Sequence, residues 1–576
     1  MQKRWLVKAP VERDRVDAFR EEIKADRITT ELLISRGIFT YEDAKEYFNP
    51  DIANLHDPFL MKNMEAAVKR LVHAIEKEEK VLLFGDYDVD GTTAVALMHA
   101  YLRKFHEPLD YYIPDRYSEG YGISQKGIDF AHQNGFSLII ALDCGIRSIE
   151  LVEYAKNRGI DFIICDHHQP GERVPDCIVL DPKQKECNYP YKELSGCGVG
   201  FKLLQGLTMR LEKPEDELFS YLDLLAISIG ADIVDITGEN RILAHWGLQK
   251  LNAHPRAAFR ELLKLANREF PVSLTDVVFT IAPRINAAGR LRSGRFAVDL
   301  MISENLQEIN QIAGEIDTDN KNRREIDQQI TEEAIEMLEK SASLVGSSSI
   351  VVYKEDWHKG VVGIVASRLM ERYFKPTIVL TSSNGMVTGS ARTVNDFDIH
   401  GAIHQCSDLL HQFGGHRHAA GLTMHPENLT SFIESFENVV GESIHPDDQS
   451  PEIKIDLEMQ FHDLYTRGEA VNKIPRVKRN LLRFEPHGPG NMQPVFLSKN
   501  IYAADFRVLK EKHLKLKLVD PLSEIYLDAI AFNLADKIDD IAAGLPFDIV
   551  FTLEINKWKD RETIQLNVRD IRSSVL

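Results

Sequence analysis

A chain of 576 residues is long enough for about three to four domains, each burying its own core, so it needs no disulfide staples. Its six cysteines show no metal-binding spacing, the opening residues lack the apolar core of a signal peptide, and no apolar run reaches membrane-spanning length. A stapled secreted protein and a helical membrane protein are excluded on this reading, and a cytoplasmic one with free, mostly buried thiols is expected; the net charge of −19 further discourages indiscriminate binding to duplex DNA.

Residues 1–60 read as short helical segments, with Thr40 as a helix cap, and carry no expected chemistry. From 61 to 304 strands alternate with helix-length segments, the pattern of a parallel sheet. The apolar run Val81 to Gly85 stops at Asp86-Tyr87-Asp88-Val89-Asp90-Gly91-Thr92-Thr93; Ser137 to Ala141 stops at Leu142-Asp143-Cys144-Gly145; Asp161 to Cys165 stops at Asp166-His167-His168. A fourth apolar segment, Leu222 to Gly230, is predicted to be helical and ends at Asp232. Open α/β sheets bind ligands outside the carboxyl ends of their strands, so these side chains are expected at one edge.

Carboxylate oxygens and imidazole nitrogens suit borderline divalent cations such as Mn²⁺. Two such ions held about 3.5–4 Å apart activate a water and stabilise an in-line displacement at phosphorus. Singly, an aspartate after a strand is more often a helix N-cap, and adjacent histidines are often surface residues. Jointly, at four successive element ends, they point to hydrolysis of a phosphodiester or phosphoanhydride.

Residues 305–345 lack proline and carry Ile309, Ile312, Ile316, Ile326, Ile330 and Ile335 at helical spacing, which predicts one long connecting helix running into a small-residue hinge from Ser341 to Ser349. A second α/β unit follows over 346–445, with strands at Ser349 to Tyr353 and Pro376 to Leu380. Its Gly360 and Gly363 lie near a helix start, where backbone N–H groups favour an anion, although tight packing explains either glycine alone. Ser390 and Arg392 close a strand in Val387 to Arg392. From 446 to 576 the texture turns to alternation, as in His513-Leu514-Lys515-Leu516-Lys517-Leu518, predicting an antiparallel barrel of about five strands with an OB-like layout. Phe496, Phe506 and Trp558 are its available stacking aromatics, against the commoner reading of barrel aromatics as core. Basic clusters at Arg284 to Arg295, Lys321 to Arg324, Arg476 to Arg479 and Lys510 to Lys517 are each ordinarily solvated faces; beside the acidic motifs they read as a track for a strand.

The triplet Asp166-His167-His168 and the phrases Gly85 to Thr93, Pro114-Asp115-Arg116 with Glu119-Gly120-Tyr121-Gly122, Asp143-Cys144-Gly145, Pro283 to Arg290, Trp357 to Ile364 and Phe413 to His416 resemble the DHH phosphoesterase superfamily. Within it they are similar to its single-strand-specific 5′ to 3′ exonucleases. The resemblance implies a catalytic parallel-sheet domain over 61–304, a DHH-associated domain over 346–445 and a single-strand-binding barrel over 446–576. It implies two ions, Mn²⁺ or Mg²⁺: Asp86 and Asp143 on one, and Asp88, Asp143, His167 and Asp232 on the other, with Asp143 bridging and His168 facing the scissile phosphate or water. Some relatives carry a histidine where this chain has Leu82, which leaves the first ion fewer protein ligands. Substrate contacts are implied for Arg116, Arg284, Asn286, Arg290, Ser390, Arg392 and His416.

The activity so implied is stepwise release of 5′-mononucleotides from single-stranded DNA in repair and recombination, by a monomer working with a helicase and a single-strand-binding protein. Rival readings are a DHH phosphodiesterase of short oligonucleotides or cyclic dinucleotides, and a non-catalytic replication scaffold.

Overall fold

The apolar runs that stop at aspartate become neighbouring strands because each is buried on both faces, which only a sheet covered on two sides can satisfy. In the computed structural model, which describes residues 3–340, 346–465, 473–542, 544–559 and 561–574, five parallel strands lie in the spatial order Leu109–Tyr112, Val81–Gly85, Leu138–Leu142, Asp161–Cys165, Ile178–Leu180. Alternation splits the side chains: Leu83 and Ile140 enter the core shared with the helices Val89–Leu102 and Gly196–Arg210, whereas Leu82, Phe84 and Ile139 pack the opposite face with Ile128 and Val152.

After Val81–Gly85 the chain adds its next strand on one side, then crosses to add Leu138–Leu142 on the other. The crossovers leave in opposite directions there, opening a crevice at the carboxyl ends of those two strands. Asp86 and Asp143 follow immediately. The helix Leu222–Asp232, buried from Leu222 to Gly230, ends where Ile233 turns left-handed at φ 60°.

The connecting helix spans Leu306–Lys340; the expected continuation over 341–345, where the hinge begins, lies outside the described residues. The second sheet has the order Gln412–His416, Ala419–Met424, Met386–Arg392, Thr377–Ser383, Ile350–Tyr353, and only its last pair is parallel. Its glycine-rich strand Gln412–His416 is not legible in the sequence, because Phe413-Gly414-Gly415-His416 shows no period-two apolar pattern.

Residues 1–50, 450–487 and 491–576 form a separate compact unit. There Phe496–Leu509, His513–Asp520, Ile525–Ala531, Arg561–Ser573 and Phe547–Trp558 follow one another, and the last pairs back on the first to close a five-stranded barrel. Leu514, Leu516 and Leu518 point inward, while Lys515 and Lys517 stay on the outer face. Phe496 is core, Phe506 is exposed, and the side chain of Trp558 lies outside the described residues. The first fifty residues do contain helices, but their Phe19, Leu32 and Leu33 share one core with barrel residues such as Phe547 and Leu566. The strand Arg4–Val7, absent from the sequence reading, pairs in parallel with Glu452–Ile455.

Candidate metal and phosphate site

Each strand-end motif places its side chain by a local constraint. Asp88 caps the helix Val89–Leu102, its Oδ1 accepting the Gly91 N–H at 3.0 Å. Gly91 must lack a side chain, since a Cβ there would stand 2.5 Å from the Asp86 carbonyl oxygen. Asp143 sits at φ 60°, rare for a residue with a side chain. Its N–H donates to Cys165 O at 2.9 Å, and Gly196 presses on its side chain so closely that a Cβ would lie 2.5 Å from Oδ1.

Asp166 accepts the backbone N–H groups of His167, His168 and Ile146 at 2.8, 3.1 and 2.9 Å and the Nδ1 of His168 at 2.7 Å. Burial opposes its charge, but the His168 and Ile146 bonds prevail and hold its carboxyl at about 2. Asp166 is therefore a saturated brace that aims the two histidines. His167 directs Nε2 to within 3.3 Å of Asp143 Oδ1 and 3.5 Å of Asp232 Oδ2.

The ligand atoms that remain make no hydrogen bond. Asp86 Oδ2, Asp143 Oδ1, Asp232 Oδ2 and both ring nitrogens of His167 are buried without a hydrogen bond. Such atoms are rare in folded proteins and costly, by about 1–3 kcal/mol each. Burial and mutual repulsion push the carboxyls of Asp86, Asp143 and Asp232 well above their ordinary range, and that of Asp88 up as well. Asp232 also ends a helix, where the dipole disfavours an anion. A divalent cation relieves every one of these costs, and the oxygen and imidazole donor set fits Mn²⁺ or Mg²⁺.

Among the described residues, two donor groups are tight enough to hold an ion, Asp143 with His167 and His168, and Asp90 with His167 and Asp232. This grouping differs from the expected one. Asp86 and Asp88 neighbour each other electrostatically but join neither group, His168 enters one, and Asp90 was not among the expected ligands. Asp90 is fully buried: its Oδ2 accepts Gly196 N–H at 2.6 Å, and its Oδ1 accepts Cys197 N–H at 2.9 Å and the Ser228 hydroxyl at 2.6 Å. Its place as third carboxylate in Asp86-Tyr87-Asp88-Val89-Asp90 was the available signal. Asp181, just past Ile178–Leu180, completes the acidic row, and burial pushes its carboxyl up to about 7.

A cluster of cations lies in the same unit, with Arg116 and Arg392 both acting on Arg290. Arg116 stacks on the Tyr87 ring at 4.0 Å, with its Nε buried and unbonded. Arg290, on the helix Ala282–Leu291, donates to Gly360 O at 2.8 Å. Arg392 donates to Ser390 Oγ at 2.8 Å. Burial, then repulsion from Arg116, lowers Arg290 to about 10, and burial lowers Arg392. Gly363 opens over this pair at the start of the helix Val362–Tyr373: a Cβ would stand 3.0 Å from Ser390 Oγ and 3.1 Å from Arg392 Nη2. Guanidinium groups beneath a helix N-terminus suit a phosphate.

His416 is exposed at the end of Gln412–His416; burial of its ring and nearby cations, His168 first, lower its pKa. Asn286 is half-buried on the same helix as Arg290. Arg284 departs from the expected substrate role. It is buried, with Nε on Asp317 Oδ1 at 2.9 Å and Nη1 on Thr280 O at 2.8 Å, bonds that tie it to the protein's own frame.

A parallel sheet whose strand ends gather this acidic and histidine cluster, followed by a second small sheet, defines a phosphoesterase fold of the DHH class. Three family models match accordingly: the DHH family N-terminal domain over residues 80–229, the DHHA1 domain over 346–442 and the RecJ OB domain over 470–570. The chain belongs to the RecJ family. It is 36% identical over 573 residues to the single-stranded-DNA-specific exonuclease RecJ of Bacillus subtilis, covering 98% of this chain and 70% of that one. The Escherichia coli exonuclease of the same name is 31% identical, with 89% and 90% covered. The crystal structure of RecJ from Thermus thermophilus in complex with Mn²⁺ superposes with a TM-score of 0.84 at 25% identity, covering all of this chain and 80% of that one.

Proposed function

We propose that this protein is a metal-dependent exonuclease that degrades single-stranded DNA from its 5′ end to mononucleotides, in DNA repair and recombination. The observation that carries the reading is the set of buried, unpartnered donors on Asp86, Asp143, His167 and Asp232. Related proteins named single-stranded-DNA-specific exonucleases, and a related structure holding Mn²⁺, supply the substrate class and the cation.

Asp86, Asp88, Asp143, His167 and Asp232 would hold two Mn²⁺ or Mg²⁺ ions, with Asp90 and His168 within reach. Bound ions supply Lewis acidity and a water of lowered pKa. The protein's own groups do the rest. Asp166 fixes His168 toward the reacting phosphate. Arg116, Arg290, Arg392 and Ser390, with the N–H groups near Gly363, bind the 5′-terminal phosphate and so set the direction of travel; His416 and Asn286 contact the backbone of the strand. Arg507, Lys515, Lys517 and Tyr526 on the barrel's outer surface suit a single strand by charge and stacking. A helicase that frees the end, a single-strand-binding protein, action as a monomer and a cytoplasmic location complete the proposal. A phosphodiesterase of small substrates leaves the barrel without a use, and a scaffold leaves the unpartnered donors without one.

The test incubates purified protein and Mn²⁺ with strands labelled at either end, with and without a 5′-phosphate, beside Asp143→Ala. Release of the 5′ label as mononucleotide, abolished by the substitution, is expected. Release from the 3′ end first, or activity surviving in Asp143→Ala, overturns the reading.

A further inference from the structure

Resting on that reading, we propose that Tyr121 is a positioning residue of the hydrolysis, acting through His168. Tyr121 stands between Gly120 at φ 87° and Gly122 at φ 80°, a turn that residues with side chains seldom form. The turn is fastened to the site by the Gly122 N–H, which donates to Asp86 Oδ1 at 3.3 Å. The residue is 54% exposed, yet its hydroxyl points inward, 3.0 Å from His168 Nε2 and 3.3 Å from the Asp143 carbonyl oxygen. Packing alone does not require that arrangement. The ring touches Tyr87 and His168 only edge-on, at 6.1 and 5.8 Å between centroids, and joins no buried core.

The logic lies in the two nitrogens of His168. Nδ1 meets Asp166 Oδ1, a carboxylate that already accepts three backbone N–H groups and has no proton to offer, so Nδ1 carries the hydrogen. The lone pair of the neutral ring is then at Nε2, where the Tyr121 O–H donates to it; if the ring is protonated, Nε2–H donates to the phenol oxygen. The phenol fits both states and pins the outer edge of an imidazole whose inner edge Asp166 holds. Beyond those two bonds, part-buried His168 meets the tilted His167 ring, 4.6 Å away between centroids, and Asp143 Oδ1, 4.0 Å from Nδ1, neither of which fixes its outer edge. The hydroxyl's bonds go to His168 and Asp143 rather than to Arg116, Arg290 or Arg392, so it serves turnover rather than capture of the strand's end.

Tyr121→Phe removes the hydroxyl and keeps the ring. With Mn²⁺ and a 5′-phosphorylated single strand, kcat should fall about ten-fold, with KM within about two-fold and Mn²⁺ affinity by equilibrium dialysis unchanged. A wild-type kcat, a loss confined to KM, or weakened Mn²⁺ binding overturns the proposal. Crystal structures of the wild type and Tyr121→Phe give a readout independent of turnover: the His168 ring should rotate or lose order in the variant, and an unmoved ring overturns the proposal. Failure of the underlying nuclease reading shows separately, as a wild-type protein that leaves single strands intact.

Discussion

Replacing Asp90 by asparagine tests how the acidic crevice is braced. The carboxylate accepts from Gly196 on one oxygen and from Cys197 and Ser228 on the other. An asparagine side chain presents an NH₂ to one of those two sides in either orientation, so at least one charge-assisted bond is lost and two N–H groups face each other. A lost bond to a charged group costs about 1.5–3 kcal/mol, and the stranded donor adds about 1 kcal/mol, for a total of about 2.5–4 kcal/mol. The unit that holds Asp90 has about 400 residues. At an unfolding entropy of about 2.1 cal/mol/K per residue, its Tm should drop by about 4 °C, read by scanning calorimetry. Ser228→Ala, which spares both backbone donors, should cost about 1 °C. Gly196 presses on Asp143, so Asp90→Asn should also reduce Mn²⁺-dependent hydrolysis at temperatures where it remains folded. An Asp90→Asn Tm within about 1 °C of wild type refutes the brace.

In chelator, the raised carboxyls of Asp86, Asp143 and Asp232 favour the protonated folded state; that stability is present below the ordinary carboxyl range and is lost as pH climbs above it, so Tm should fall as pH rises from the ordinary carboxyl range through the raised one. Adding Mn²⁺ should flatten this fall, and a fluorimetric melt at each pH checks both slopes. Asp166, held at about 2, acts oppositely: its contribution persists above about pH 4 and disappears as pH drops toward 2, so Asp166→Asn should weaken the acid limb of the same curve. Arg392→Ala should raise KM about ten- to a hundred-fold for a 5′-phosphorylated strand and much less for a 5′-hydroxyl strand, measured in parallel rate curves. Arg284→Met should destabilise by about 3 kcal/mol, because Asp317 is left buried beside Lys321 alone; a melting curve matching wild type would return Arg284 to the substrate surface.

Local chemistry made much of this molecule legible. Apolar runs interrupted by aspartate marked the carboxyl ends of three parallel strands, and the long apolar segment from Leu222 to Gly230 marked the helix that delivers Asp232. Alternating leucine and lysine marked the barrel. What escaped depended on partners distant in the chain. Asp90 reads as one more acid in a motif until Gly196, Cys197 and Ser228, more than a hundred residues away, converge on it. Arg284 looks available for phosphate until Asp317 on the connecting helix claims it. Arg4–Val7 is too short to announce a strand, and its partner lies near residue 452. Periodicity encodes which face of an element is buried, but not which distant group will meet a given polar atom.

Segments some 500 residues apart in the sequence complete one hydrophobic core, and this bears on biosynthesis. Phe19, Leu32 and Leu33 leave the ribosome early, whereas Phe547 and Leu566, against which they pack, follow about 500 residues later. At about 5–20 residues per second, the leading helices wait roughly 25–100 s for their companions. Throughout that interval their apolar faces lack the barrel they pack against, while the intervening catalytic body can fold ahead of them.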